Sequence, residues 1–121
     1  MEKVDLKEKL ALFDELWSPR IVGELNGQYV KLAKLEGEFV WHAHDHEDEL
    51  FLVVKGSMTL HLRDRDVHLE EGQFFIVPAG VEHLPVADEE CHVLLFEPQA
   101  TTHTGSTPSE RRVAVEDQAR I

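Results

Sequence analysis

Residues 37–56 read GEFVWHAHDHEDELFLVVKG. Histidines stand at alternate positions, His42, His44 and His46, with acidic residues after them and then the apolar run Leu50-Phe51-Leu52-Val53-Val54. In an extended strand, side chains two apart share a face, about 7 Å from each other. His42 and His44 can therefore aim both imidazoles at one point, and neutral imidazole is the commonest protein ligand for a transition metal. A nearby carboxylate, with Glu49 best placed, would complete a mixed nitrogen–oxygen site. On one unbroken strand Glu49 would face away from His44. It joins the histidines only if the chain turns at Asp45–Asp48 and returns on a neighbouring strand. Phe51 and Val53 share the face of Glu49 and would wall the site, with Val40 doing so from the other strand.

A fourth ligand can come from residues 72–83, GQFFIVPAGVEH. Pro78 with Gly80 makes a tight turn, since proline fixes φ and glycine accepts positive φ. His83 starts the strand after that turn.

Around these two stretches the chain reads as short strands separated by turn residues. Candidate strands are 20–25, 28–36, 39–44, 50–55, 57–63, 66–70, 73–77, 83–87 and 91–97. Asn26-Gly27 between two apolar-rich runs is a strong hairpin signal. Many short strands at regular spacing indicate an all-β sandwich or barrel. Ahead of them, Leu6, Leu10, Phe13, Leu16 and Trp17 recur at helical spacing, which predicts one amphipathic helix over 5–17. Asp5 followed by Glu8 fits a capping box, and Ser18-Pro19 ends the helix. So short a helix must pack its stripe on its own sheet or on a second subunit. The expected organisation is a helical segment 1–19, a barrel 20–98, and a polar loop and tail 99–121 packed on the barrel.

The 121 residues suit one domain, and the formal charge is −12, from 24 acidic and 12 basic residues. That charge opposes nucleic-acid binding, which needs cationic surface. No apolar run is long enough to span a membrane, and the charged start of the chain reads as no export signal. Cys91 is alone, so no internal disulfide forms. A cytoplasmic location is the expectation.

Gly37, His42, His44, Glu49 and Gly56 resemble the first cupin motif, G-x5-H-x-H-x3–4-E-x6-G. Gly72, Pro78, Gly80 and His83 resemble the second, G-x5-P-x-G-x2-H-x3-N. The gap from Gly37 to His42 is one residue short, and Ala87 replaces the final asparagine. The short spacer between the motifs is like that of small bacterial single-domain cupins. The resemblance implies an all-β double-stranded β-helix, or jelly-roll barrel, with a short N-terminal α-helix. It implies His42, His44, Glu49 and His83 as ligands of one divalent transition ion: Fe, Mn, Ni, Zn or Co. It also implies a homodimer, with the N-terminal helix and the first strand as the expected contacts.

His46 falls too close to Glu49 for the motif and is placed on the turn at the site's mouth. His61 and His68 read as surface residues. His92 shares its strand face with Leu94 and Phe96 and is a candidate pocket residue. His103 is a candidate pocket contact from the polar loop. Trp41 alternates away from His42 and reads as packing. Asp45, Glu47, Asp48 and Asp88–Glu90 could rim the entrance.

Two functions fit. One is a metal-dependent enzyme acting on a small molecule at the open positions of the ion; dioxygenase, isomerase, decarboxylase and lyase are not distinguished. The other is a non-catalytic module that binds or senses a small molecule. Fold alone does not choose between them.

Overall fold

The computed structural model describes residues 2–101 and 118–121. A short helix α1 (Leu6–Leu10) precedes seven strands: β1 (Arg20–Leu25), β2 (Gln28–Glu38), β3 (Glu49–Lys55), β4 (Ser57–Leu62), β5 (Asp66–Glu70), β6 (Phe74–Val77) and β7 (His83–Pro98). All strand pairings are antiparallel. The architecture is an all-β antiparallel barrel with a short N-terminal helix.

The hairpin at Asn26-Gly27 has positive φ at both turn residues, 49° and 79°. That pair of angles matches the right-handed twist of β1 and β2, so a two-residue loop suffices.

β7 is the long element around which the rest is arranged. Its second half pairs with β2 on one side and β3 on the other, giving the order β1-β2-β7-β3-β6. Its first half pairs with β4, which carries β5. The sequence suggests two strands, 83–87 and 91–97; the chain instead runs through 88–90 as one bent strand. β2 follows it, with a bulge between Leu35 and Gly37.

The two halves enclose one core. Ala33 and Leu35 of β2, Phe51 and Val53 of β3, and Val93 and Leu95 of β7 meet Met58, Leu60 and Leu69 from β4 and β5. β3 buries Glu49, Phe51 and Val53 on its inner face and leaves Leu50, Leu52 and Val54 half-buried outside.

The chain passes from β3 to β4, and so between the halves, at Gly56, whose φ is 86°. A Cβ there would lie 3.1 Å from the Glu90 carbonyl oxygen and 3.4 Å from Cys91 Cα. Both neighbours are backbone and cannot swing aside. Gly56→Ala is expected to destabilise the barrel by about 1–3 kcal/mol from left-handed backbone strain. Urea unfolding would show it as a lowered midpoint; an unchanged midpoint would contradict this account of the corner.

The helix is shorter than the sequence pattern predicts. Asp5 caps it, accepting from the Glu8 N–H at 3.2 Å, but it ends at Leu10. Tertiary contacts claim the rest of the stripe. Lys34 Nζ donates to the Phe13 carbonyl at 2.6 Å, and the Trp17 N–H donates to the Lys34 carbonyl at 2.8 Å. Leu10 and Phe13 pack on Leu32, on the outer face of the sheet, beside Val22, Val54 and Leu94. The helix thus packs on its own sheet. Gln118–Ile121 returns to β1, where the Ile121 N–H donates to the Ile21 carbonyl. Most of 99–121, including His103, lies outside the described residues.

Candidate metal centre

Each member of the candidate site is set by a backbone device. The chain leaves β2 and runs as an irregular segment through 39–48. His42 and His83 face each other in an isolated antiparallel bridge, exchanging N–H···O bonds of 3.1 and 2.9 Å. The Gly80 N–H donates to the His44 carbonyl at 2.7 Å, tying the Pro78–Gly80 turn to the first histidine stretch. Glu49 opens β3, opposite Val77 of β6. The expected turn at Asp45–Asp48 is present, with exposed residues flanking half-buried Glu47.

His42, His44, Glu49 and His83 are all buried, at 3, 4, 5 and 0% exposure. One ligand atom from each lies within 4.8 Å of every other. His44 Nε2 is 3.2 Å and His83 Nε2 is 3.5 Å from Glu49 Oε1. The His42 Nδ1 donates to the Val40 carbonyl at 2.8 Å and the His83 Nδ1 to the Val81 carbonyl at 3.0 Å. Such a bond assigns the proton to Nδ1 and leaves the Nε2 lone pair free. Buried His83 Nε2 has no hydrogen-bond partner. A buried polar atom without a partner is costly and calls for an explanation. Two donors each about 2.1 Å from one ion stand at most about 4.2 Å apart, so the widest pairs draw in when the cluster holds one. Three imidazoles and one carboxylate suit a borderline transition ion.

The electrostatics match that use. Burial, then the neighbouring His83, lowers the His42 pKa to about 4, so its ring is neutral near pH 7. Burial pushes the Glu49 carboxyl up, but Glu97, His44 and His83 outweigh it and hold it well below the usual carboxylate range. Glu97 behaves oppositely: burial and the adjacent Glu49 charge raise it well above that range, against the pull of Lys31.

His42 and Glu49 form the polar end of an apolar cavity of about 30 Å³, walled by Trp17, Leu35, Phe39, Phe51, Val93 and Leu95 among others. That is room for roughly two waters. Phe51 lines the cavity as the strand parity suggests. Val53 is buried deeper in the core, and Val40 is half-buried, offering its carbonyl to His42. His46 is exposed on the turn, outside the cluster.

His92 requires correction as a pocket residue. Cys91, Val93, Leu95 and Glu97 face the barrel, whereas His92 lies beside Lys7, Leu10 and Lys34 on the outer surface and binds Glu90 at 2.7 Å. The shared face with Leu94 and Phe96 is real, but it is the face under the helix. Asp88–Glu90 likewise sits at the β7 bend: the Glu90 carbonyl lies against Gly56, and Asp88 lies near Ser57 and His68. Trp41 is half-buried, with the Arg63 guanidinium 3.7 Å over its ring, and Arg63 also pairs with Glu82 at 3.0 Å. His61 pairs with Asp66 at 2.6 Å and His68 contacts Thr59, both at the surface.

Three further residues support the cluster from behind or beside it. Asp48 accepts from the Ala79 N–H at 2.8 Å and so joins the two ligand-bearing turns. Lys31 and Glu97 are buried charges behind Glu49. Glu97 shares the inward parity of Val93 and Leu95, which was the one available hint.

Cys91 is fully buried, and burial raises its thiol pKa to about 11. It is expected to resist a disulfide reagent in native protein at pH 8 and to react at once in denaturant. Equal rates in both would contradict this burial.

Comparison with known proteins agrees with the fold and the motifs. The chain is 32% identical over 80 residues to the uncharacterized protein YdbB of Bacillus subtilis (strain 168), covering 65% of each chain. The crystal structure of a cupin-2 domain containing protein from Shewanella frigidimarina superposes with a TM-score of 0.78 at 43% identity, covering 78% of this chain and 93% of that one. Protein NMB1881 from Neisseria meningitidis gives 0.74 at 33% identity, covering 80% and 99%. The family profile of the cupin domain matches residues 28–97, from the start of β2 almost to the end of β7, and the chain therefore belongs to the cupin family.

Proposed function

We propose that this cupin is a metal-dependent enzyme acting on a small molecule, with His42, His44, Glu49 and His83 holding one divalent transition ion. The observation that carries the reading is the convergence of four buried donors at the end of an apolar cavity, one of them, His83 Nε2, without a hydrogen bond. An ion there would supply Lewis-acid polarisation of a bound oxygen donor. The chain's own residues do the rest. Burial keeps His42 neutral and ready to donate its lone pair. Phe51, Val93 and Leu95 give the cavity beside the ligands apolar walls. Pro78–Gly80 and the His42–His83 bridge hold the ligands in place before binding.

Non-catalytic small-molecule binding is the second reading, and one observation favours it. Among the described residues, the titratable side chains lining the cavity are His42 and Glu49, both in the proposed ligand set. Metal-loaded protein assayed on small-molecule panels, with oxygen uptake recorded, separates the two. Turnover that disappears with the metal supports the enzyme; a ligand retained unchanged supports the binder.

The proposal includes a homodimer and a cytoplasmic location. Among the described residues no helix is long and apolar enough to cross a membrane. Leu25, Phe74 and Ile76 are 49, 59 and 48% exposed, and Leu25 and Ile76 border one surface hollow with Leu50 and Phe96. Contiguous apolar surface beside the edge strand β6 suits a second copy. Light scattering is expected to give twice the 13.9 kDa chain mass; the monomer mass would contradict it.

A further inference from the structure

Lys31 and Glu97 are ionisable side chains placed inside the barrel, only 1% and 4% exposed. Lys31 Nζ lies 2.8 Å from Glu97 Oε1. Neither Lys31 Nζ nor Glu97 Oε2 has an aligned hydrogen bond. Burying such a pair is costly, and an apolar pair of similar volume is often as stable or more so. Stability therefore does not explain why these residues stand here.

Their position does. Leu50 of β3 pairs with Phe96 of β7, so Glu49 and Glu97 are register neighbours on the inward faces of adjacent strands. Lys31 lies on the inner face of β2, two residues before Ala33, across from Leu95. Glu97 is thus the β7 side chain that faces Glu49, and the two buried carboxyls are coupled. Two of the imidazoles in the cluster are oriented by backbone carbonyls, those of Val40 and Val81. Glu49 is a longer, looser side chain, and Glu97 supplies the equivalent hold.

We propose that Lys31 and Glu97 form a bracket behind Glu49: Lys31 pins Glu97, and Glu97 fixes the Glu49 carboxylate in the orientation that ligates the ion. This rests on the metal-centre reading above. Both are positioning residues. Groups that orient a metal ligand in this way typically set metal affinity by about 10–100-fold.

Cobalt(II) tests the bracket without any substrate. Its affinity is read by calorimetry and its ligand field by visible absorption. Wild-type protein is expected to bind one equivalent. Glu97→Gln places an amide donor of the same shape beside Glu49 and is expected to stay within about threefold of wild type. The double variant Lys31→Met/Glu97→Leu removes both charges together and is expected to melt no lower than wild type, yet to bind cobalt about 10–100-fold more weakly with a shifted visible band. If the double variant does not fold, Lys31→Met alone is read. It leaves Glu97 unpinned and is expected to weaken cobalt about tenfold, the low end of that range. A folded variant with wild-type affinity and spectrum overturns the bracket while leaving the metal centre intact. Wild-type protein that takes up no cobalt overturns the metal reading, and the bracket with it.

Discussion

His83→Ala is expected to weaken binding of a divalent transition ion by more than about a hundredfold while the barrel stays folded. Removing a mere orienting partner of a ligand costs about 10–100-fold, and removing the ligand itself must cost more. His83 is the sharpest choice for three reasons. It comes from the second motif and opens β7, whereas Glu49 opens β3 and His42 and His44 lie on the segment between β2 and β3. Its ring is fully buried, with Nδ1 already engaged by the Val81 carbonyl. Its buried Nε2 has no hydrogen-bond partner and lies 3.5 Å from Glu49 Oε1, inside the donor cluster. The backbone bridge to His42 is made by main-chain atoms and survives the change. Calorimetric titration of metal-stripped protein measures the effect, with circular dichroism confirming the fold. Affinity within tenfold of wild type would mean that His83 is not a ligand.

Trp17→Ala is expected to have the largest effect on stability, a loss of about 3–5 kcal/mol. Trp17 is 6% exposed and stacks on Phe39 with ring centroids 4.7 Å apart and planes 12° from parallel. Its Nε1 donates to the Glu36 carbonyl at 2.9 Å. It also walls the apolar cavity opposite the metal ligands. Alanine would lose the stack and the hydrogen bond and leave a void. Trp17 has a φ of 57°, and alanine keeps that strain, whereas glycine would relieve it. Trp17→Gly should therefore be less destabilising than its lost contacts alone imply. Urea unfolding of both variants tests this; a loss under about 1 kcal/mol for alanine would show that the stack is not structural.

The different fates of residues in the sequence reading have physical causes. Spacing carried the barrel and the four-donor cluster because strand parity and turn chemistry are local. Asn26-Gly27, Gly56 and Pro78-Ala79-Gly80 each place a turn without reference to distant residues. Parity also required the Asp45–Asp48 turn before Glu49 could meet His44, and the chain turns there. Parity could not say which face is inside when both are apolar. β7 buries one face in the barrel and covers the other with the helix, so His92 and Leu94 look as interior as Val93 and Leu95. The N-terminal helix was overextended for a related reason. Phe13 and Trp17 sit at helical spacing, yet Lys34 and Phe39, far along the chain, hold them in other conformations. Lys31 and Glu97 were invisible because a charged residue in a strand reads as solvent-facing until its neighbours are known.

The metal content of native protein tests the central claim most directly. Protein purified without an affinity tag and without added metal is analysed for transition ions, then stripped and titrated with Fe, Mn, Ni, Zn and Co. The account predicts close to one ion per chain, lost in His44→Ala and His83→Ala. Native protein free of metal that also takes up none of the five ions would contradict it.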